Sequence, residues 1–351
     1  MLYFSNCGRA IFGSPKLALS RNRPILKKFA LVAVLGFSLS SCAMNDDNDR
    51  RHLQPLSSQI VAEMTGKNMR AADPILIRIY KKESELEVWK RTGTGSYALL
   101  KTYPMCRWSG QLGPKRSDGD RQAPEGFYTV TPAQMNPKSQ YYLSFNLGYP
   151  NPLEKAQGFS GSALMVHGAC TSAGCYAMTN GGISEIYALA REALAGGQAS
   201  FQVQALPFRL KPENMVKYRD NPNIAFWKNL KEGSDHFEAS NLPPRVAACE
   251  RKYVFDAVDA SGPFEPTAIC PAYDIEAGIA TLVRQKQQAD NLRIAELIAS
   301  GAPPVSYTYA DGGMHSSFRS TLKSFGPDKL QLMTSGNVEV SRPDAALSDP
   351  F

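Results

Sequence analysis

A chain of 351 residues with 43% hydrophobic and 20% charged residues has enough sequence to bury a large core, and its composition is that of a globular protein. The formal net charge is +7, but six basic residues (Arg9, Lys16, Arg21, Arg23, Lys27, Lys28) fall in residues 1–41, which hold no acidic residue. Removing them leaves 33 basic residues against 32 acidic ones, so nucleic acid is excluded as an expected partner.

Lys27 and Lys28 precede an apolar run, residues 29–39, which has the length of a signal-peptide core and is too short to span a bilayer as a helix. The run ends in Leu39-Ser40-Ser41-Cys42, which resembles the bacterial lipobox. That resemblance implies cleavage before Cys42, acylation of its thiol and a lipid-anchored product in the periplasm. Ala43 follows, with no Asp to suggest retention at the inner membrane, so the outer membrane is favoured. Residues 1–41 are thus read as a signal peptide and 42–72 as a tether ending in a short helical or irregular segment. In an oxidising compartment spare thiols tend to pair. Five cysteines remain beside Cys7 and Cys42: Cys106, Cys170, Cys175, Cys249 and Cys270. An odd number leaves one thiol over. Cys249 and Cys270 are placed to staple a C-terminal loop; spacing leaves the connectivity open.

From residue 75 the pattern is strand-like. Residues 75–80 (I-L-I-R-I-Y), 86–90 and 97–103 are short and rich in aliphatic and aromatic residues, with a hairpin loop at Thr92-Gly93-Thr94-Gly95-Ser96. Residues 127–130, 141–146 and 163–166 continue the series. After Thr179-Asn180, the apolar positions Ile183, Ile186, Tyr187, Ala190 and Leu194 recur at helical spacing until Gly196-Gly197. Residues 200–206 alternate as a last strand, and the domain is expected to close near Leu210. Residues 211–272 are rich in Pro, Asn and charge, 275–300 read as one amphipathic helix, and the end reads as disordered.

The segment L-M-V-H-G-A-C-T-S-A-G-C-Y-A-M (residues 164–178) carries the chemistry. A strand ends at His167, a loop of small residues follows, and Cys175 precedes a helix. Helix dipole and imidazole together would favour a thiolate over a free thiol of pKa ~8.5. Gly168 and Gly174 remove bulk where a carbonyl would approach, and nearby amides would serve as an oxyanion hole. Against this stand a structural pairing of Cys and His and a zinc site, H-x2-C-x4-C, for which no fourth ligand lies at motif spacing. No metal or cofactor is expected. Cys170 is read as structural, paired with Cys106 or buried, with a second reactive thiol as the alternative. Arg107 and Lys115 are read as surface charges, with a carboxylate-binding role as the alternative. Tyr128, Tyr141 and Tyr142 are read as packing, and His315, in Asp311-Gly312-Gly313-Met314-His315, as a turn residue.

His167-Gly168 followed by Ser172-x-Gly174-Cys175 resembles the signature of the L,D-transpeptidases, whose catalytic domain is of the YkuD type. The flanking Lys101-Thr102-Tyr103-Pro104, Ser109-Gly110-Gln111-Leu112-Gly113-Pro114-Lys115, Gly119-Asp120, Ala123-Pro124-Glu125-Gly126-Phe127-Tyr128 and Gly148-Tyr149-Pro150-Asn151 resemble its YafK-like branch. The resemblance covers roughly residues 75–210. It implies a mainly β fold with α (α+β), a sandwich-like catalytic domain at 73–210 with a helix after the nucleophile, and a mixed helical and irregular extension at 211–351. It further implies Cys175 as nucleophile, His167 as general base and acid, and Ser172 with Gly174 as the loop shaping the oxyanion site. The implied partners are peptidoglycan stem peptides and wall-linked lipoprotein, and the membrane through the lipid anchor. The implied reaction is thioester formation at the third residue of a stem peptide, resolved by an acceptor amine or by water. Two departures stand out: Ala173 replaces the His of the S-H-G-C signature, and Tyr176-Ala177 stand where an Arg commonly follows. A cysteine peptidase of the NlpC type would want Cys before His, the reverse of the order here. A non-catalytic peptidoglycan-binding lipoprotein is the rival of another class; a free, low-pKa Cys175 would speak against it.

Overall fold

A computed structural model describes residues 50–305, 309 and 311–318. The signal-peptide, lipobox and Cys42 expectations, and the disordered end, lie outside these residues. The architecture is α+β, built on two five-stranded sheets. The first holds β1 (Ile75–Tyr80), β2 (Glu85–Arg91), β3 (Tyr97–Pro104), β5 (Gly126–Val130) and β10 (Phe201–Leu206), in the order β3-β2-β1-β10-β5. The second holds β4 (Arg107–Trp108), β6 (Met135–Asn136), β7 (Ser144–Asn146), β8 (Met165–His167) and β9 (Tyr176–Ala177), in the order β4-β9-β8-β7-β6.

β1 is buried along its whole length because it is covered on both faces. Ile75, Ile77 and Ile79 point into the main core, whereas Leu76 joins Tyr97 and Phe237 in a second cluster on the opposite face. The main core joins the two sheets, as where Phe145 of β7 meets Phe201 of β10 edge-to-face at 5.5 Å. Helix α1 (Ser58–Gly66) buries Ile60 and Met64 in it, and the short α2 (Pro152–Ala156) follows β7. Helix α3 (Asn180–Ala195) starts where its sequence predicts: the Thr179 hydroxyl accepts the Gly182 N–H at 2.9 Å, and Ile183, Ile186, Tyr187 and Ala190 are buried.

The segment after Leu210 is more ordered than its composition suggests. It contains α4 (Pro212–Lys217), α5 (Ile224–Ser240), the hairpin β11 (Val246–Cys249) and β12 (Lys252–Phe255), and α6 (Ala277–Ala299). The long helix expected over 275–300 is present, but Val283 is its one buried residue. Helix α5, which no clean apolar stripe announces, covers the outer face of the first sheet. Phe237 packs edge-to-face on Trp89 at 5.0 Å, and Arg78 bonds Ser234 and Glu238 at 2.6 and 3.0 Å. Cys249 and Cys270 are bonded, closing the loop beside the hairpin.

A fully buried ion pair, Lys81 with Glu125 at 3.0 Å, joins three parts of the chain. Lys81, just past β1, also donates to the carbonyls of Gln111, Gly113 and Ala123 at 2.7, 3.1 and 2.9 Å. Glu125 accepts the Gly113 amide at 2.7 Å and the indole N–H of Trp227, on α5, at 2.8 Å. Burial draws the Lys81 pKa down and Glu125 opposes it. Lys81→Met would strand a buried carboxylate and three carbonyls, and should lower unfolding free energy by about 3–5 kcal/mol in urea titrations; a loss below 1 kcal/mol would mean that the loop over 109–125 does not depend on the pair.

Candidate active site

The two faces of the second sheet differ in kind. Trp108, Tyr176, Val166 and Phe145, which share one face by register, are buried in the core. On the opposite face the same register aligns Arg107 with Ala177, His167 with Ala177, and Ser144 with His167. Cys175 lies immediately before β9, which runs parallel to β8, and its Sγ meets the Met165 amide at 3.5 Å, two residues before His167. A sequence separation of eight residues thus becomes adjacency across two paired strands.

His167 is 2% exposed and lies against the ring of Tyr141, with centroids 4.6 Å apart. Its Nδ1 is 2.6 Å from the Gly168 carbonyl, which can only accept; Nδ1 therefore carries the hydrogen, and Nε2 keeps its lone pair. Burial pulls the imidazole pKa down to about 4 against the opposing effect of that carbonyl. Cys175 is the free cysteine among the described residues and is half-buried. Its Sγ accepts the Met165 N–H at 3.5 Å and approaches the Ala163 carbonyl at 3.8 Å. Burial pushes the thiol above its ordinary range, while the Met165 amide and the Lys115 ammonium pull the other way.

These values correct the expectation of a thiolate at rest. Cys175 sits at the start of β9, and α3 begins beyond its far end, after Thr179, up to about 13 Å of extended chain away. A helix dipole acts within its first turn. The end of α3 instead meets the loop after His167, where Asn180 Oδ1 accepts the Ala169 amide at 2.9 Å. The free protein therefore holds a neutral thiol beside a neutral imidazole, and no hydrogen bond joins the two among the described residues. A thiol turned toward Nε2 can pass its proton as it attacks, and catalytic hydrogen bonds often tighten only with substrate bound.

Ser172 shapes the nucleophile loop from below. Its hydroxyl accepts the Cys175 amide at 3.0 Å and the Gly174 amide at 3.4 Å, donates to the Cys175 carbonyl at 2.7 Å, and meets Ser109 Oγ at 3.0 Å. Gly174 adopts φ +128°, a conformation that favours glycine. Gly168 has a different role from the one expected. A Cβ there would come within 2.8 Å of both the Tyr141 carbonyl and Asn180 Oδ1, so its bareness serves backbone packing and leaves no space for a substrate carbonyl. Cys106 and Cys170 are bonded, tying the start of β4 to the loop between His167 and Cys175.

Three further expectations change. Arg107 and Lys115 are 2% and 4% exposed, so neither is a surface charge. Lys115 is held by Asp120 and by the Ser117 carbonyl at 2.8 Å. Tyr141, read as packing, covers the His167 ring, and burial with the nearby Cys175 raises its own pKa. No spacing signal could have found it, because the irregular 137–143 stretch decides where it lands. His315 lies on a segment that runs beside β4, its amide bonded to the Met105 carbonyl at 3.0 Å.

A buried imidazole of fixed tautomer, a free thiol beside the strand that ends at that imidazole and a glycine-bearing loop pinned by Ser172 are thus gathered at one end of β8 and β9. Residues 74–197 match the L,D-transpeptidase catalytic domain of the YkuD type. The protein named "Putative L,D-transpeptidase YafK" of Escherichia coli K12 is 42% identical over 200 residues, spanning 57% of this chain and 78% of that protein, and the O157:H7 protein matches equally. The chain belongs to the L,D-transpeptidase family and carries its catalytic domain. Among solved structures, the helical cell shape determining protein Pgp2 of Campylobacter jejuni aligns at 20% identity with a TM-score of 0.31, covering 45% of this chain and 57% of that one. Bd1075 of Bdellovibrio bacteriovorus aligns at 14% with a TM-score of 0.30, covering 59% and 94%. Likenesses that distant carry no argument here.

Two tests follow from this geometry. Because kcat/KM reports the free enzyme, its plateau should begin at about pH 5 and extend past the ordinary thiol range, since burial raises Cys175. Activity falls below it as His167 is protonated and above it as the thiol ionises and the pair loses its proton. An acid limb near the ordinary histidine value of about 6.5 would mean that His167 is not desolvated as found. Ser172→Ala should lower kcat on the order of 10²-fold by loosening the loop, with melting temperature little changed; an unchanged kcat would remove Ser172 from the site.

Proposed function

We propose that this L,D-transpeptidase acts on peptidoglycan stem peptides through a Cys175 acyl-enzyme, with His167 as the base and acid. The observation that supports this reading is the β8–β9 pairing, which brings the strand ending at His167 beside the one that Cys175 precedes, with the Met165 amide on Sγ and His167 Nδ1 engaged by the Gly168 carbonyl. The Cys175 Sγ–H proton passes to His167 Nε2 as sulfur attacks the carbonyl of the third stem residue. The C–N bond breaks, the leaving amine takes the proton from His167, and a thioester remains. An acceptor amine then attacks, gives its proton to His167, and the C–S bond breaks to restore the thiol. Water in place of the amine makes the same site a hydrolase of stem-peptide or protein–peptidoglycan linkages.

Lys115 supports the same scheme, since a cation beside the sulfur stabilises charge developing there during proton transfer. The lipobox ending at Cys42 supports a place in the periplasm, lipid-anchored and facing the wall. No helix among the described residues is long and apolar enough to cross a membrane.

Purified protein covering residues 43–351, incubated with disaccharide tetrapeptides with and without a protein-linked muropeptide, should yield 3–3 cross-linked dimers detectable by mass spectrometry. Cys175→Ala should abolish them while keeping the melting temperature. Linkage cleavage without dimers would assign hydrolysis, and full turnover by Cys175→Ala would overturn the scheme.

A further inference from the structure

β4 is an edge strand of the second sheet, and Tyr309 and residues 311–315 lie along its open side, Gly313 pairing antiparallel with Trp108. Trp108 and Gly313 exchange backbone hydrogen bonds at 3.0 and 3.1 Å, the Gly312 amide reaches the Gly110 carbonyl at 2.6 Å, and the Tyr309 amide reaches Gln111 Oε1 at 2.8 Å. Gly312 adopts φ +69°, and a Cβ there would collide with the Trp108 carbonyl. This approach delivers the carboxylate of Asp311 into a cradle. Oδ1 accepts the Gly110 amide at 3.2 Å, while Oδ2 lies 3.2 Å from Arg121 Nη2 and 3.7 Å from Arg107 Nη2. Arg107 Nη2 also donates to the Asp311 backbone carbonyl.

The cradle adjoins the nucleophile. Arg107 pairs with Ala177, two residues beyond Cys175. The Arg121 backbone lies 3.9 Å from where a Gly174 Cβ would stand, so Arg121 flanks the loop that presents the thiol. Two guanidiniums and a backbone amide converge on one carboxylate, and charge-assisted hydrogen bonds of this kind recur in carboxylate recognition. A peptide lying along the edge of β4 would meet the same backbone groups that residues 311–315 meet.

We propose that Arg107, Arg121 and the Gly110 amide form a carboxylate subsite for the peptide substrate, filled in the free protein by Asp311 as an internal surrogate. The proposal rests on the reading of Cys175 as a nucleophile acting on stem peptides. Substrate binding then displaces Asp311, and the closed arrangement weakens the apparent affinity by the fraction of molecules that hold it.

The test is binding in the Cys175→Ala background, so that no turnover intervenes. The probes are a fluorescein-labelled stem tetrapeptide and the same peptide with every carboxylate amidated, read by anisotropy. Asp311→Asn should bind the free acid about tenfold more tightly, as release from a closed state populated nine-tenths of the time would give, and the amidated peptide no more tightly. Gly312→Val, which expels the segment by collision with β4, should give the same gain by an independent route. Arg121→Gln added to Asp311→Asn should cancel it. Unchanged affinity for the acid in both Asp311→Asn and Gly312→Val, a gain that survives Arg121→Gln, or no binding of either probe would each overturn the subsite. The binding pattern without turnover by protein retaining Cys175 would leave the subsite standing and overturn the catalytic reading instead.

Discussion

Lys81 and Glu125 meet with both side chains withdrawn from water, and each spends its remaining hydrogen-bonding capacity on the loop between β4 and β5. A buried pair lacking such partners costs more in desolvation than it returns. Here three carbonyls, one amide and the Trp227 indole complete it, so the stretch over 109–125 has one arrangement that satisfies everything. That stretch carries Lys115, Asp120, Arg121 and Gln122, the charged and polar wall beside the nucleophile loop. The positions of the site cations therefore follow from a pair that touches no substrate.

The burial around Cys175 and His167 has a chemical consequence. A thiolate–imidazolium pair formed in advance needs surroundings that solvate both charges, and the environment here penalises both. A neutral thiol is less readily oxidised than a thiolate, so burial also protects the free Cys175. The Cys106–Cys170 bond removes the neighbouring thiol that would otherwise lie closest along the loop.

The segment beyond Leu210 is part of the same construction. Helix α5 supplies Trp227 to the buried pair and Phe237 to the outer face of the first sheet, and residues 311–315 line the edge of the second. Gly233 shows how closely α5 sits, since a Cβ there would collide with Phe255 and Phe127. Catalytic sheet, covering helix and edge segment are packed through shared residues.

What the amino-acid order determined by itself was local and periodic. Aliphatic and aromatic content marked β1, apolar–polar alternation marked β10, and Thr179 with the apolar stripe marked α3, while the run from His167 to Cys175 marked the candidate site, because each signal lies within a few residues of its consequence. Strands β4 and β9 escaped notice because two residues show no period, and α5 because its buried face holds Ser234, Asp235 and His236 among its apolar residues. Tertiary structure alone decided which cysteines bonded, where Tyr141 came to rest, and that Arg107 would be buried against Asp311, some two hundred residues away. It also decided the protonation of the pair. A pKa depends on the density of protein around a group, and that density is assembled from segments remote in sequence.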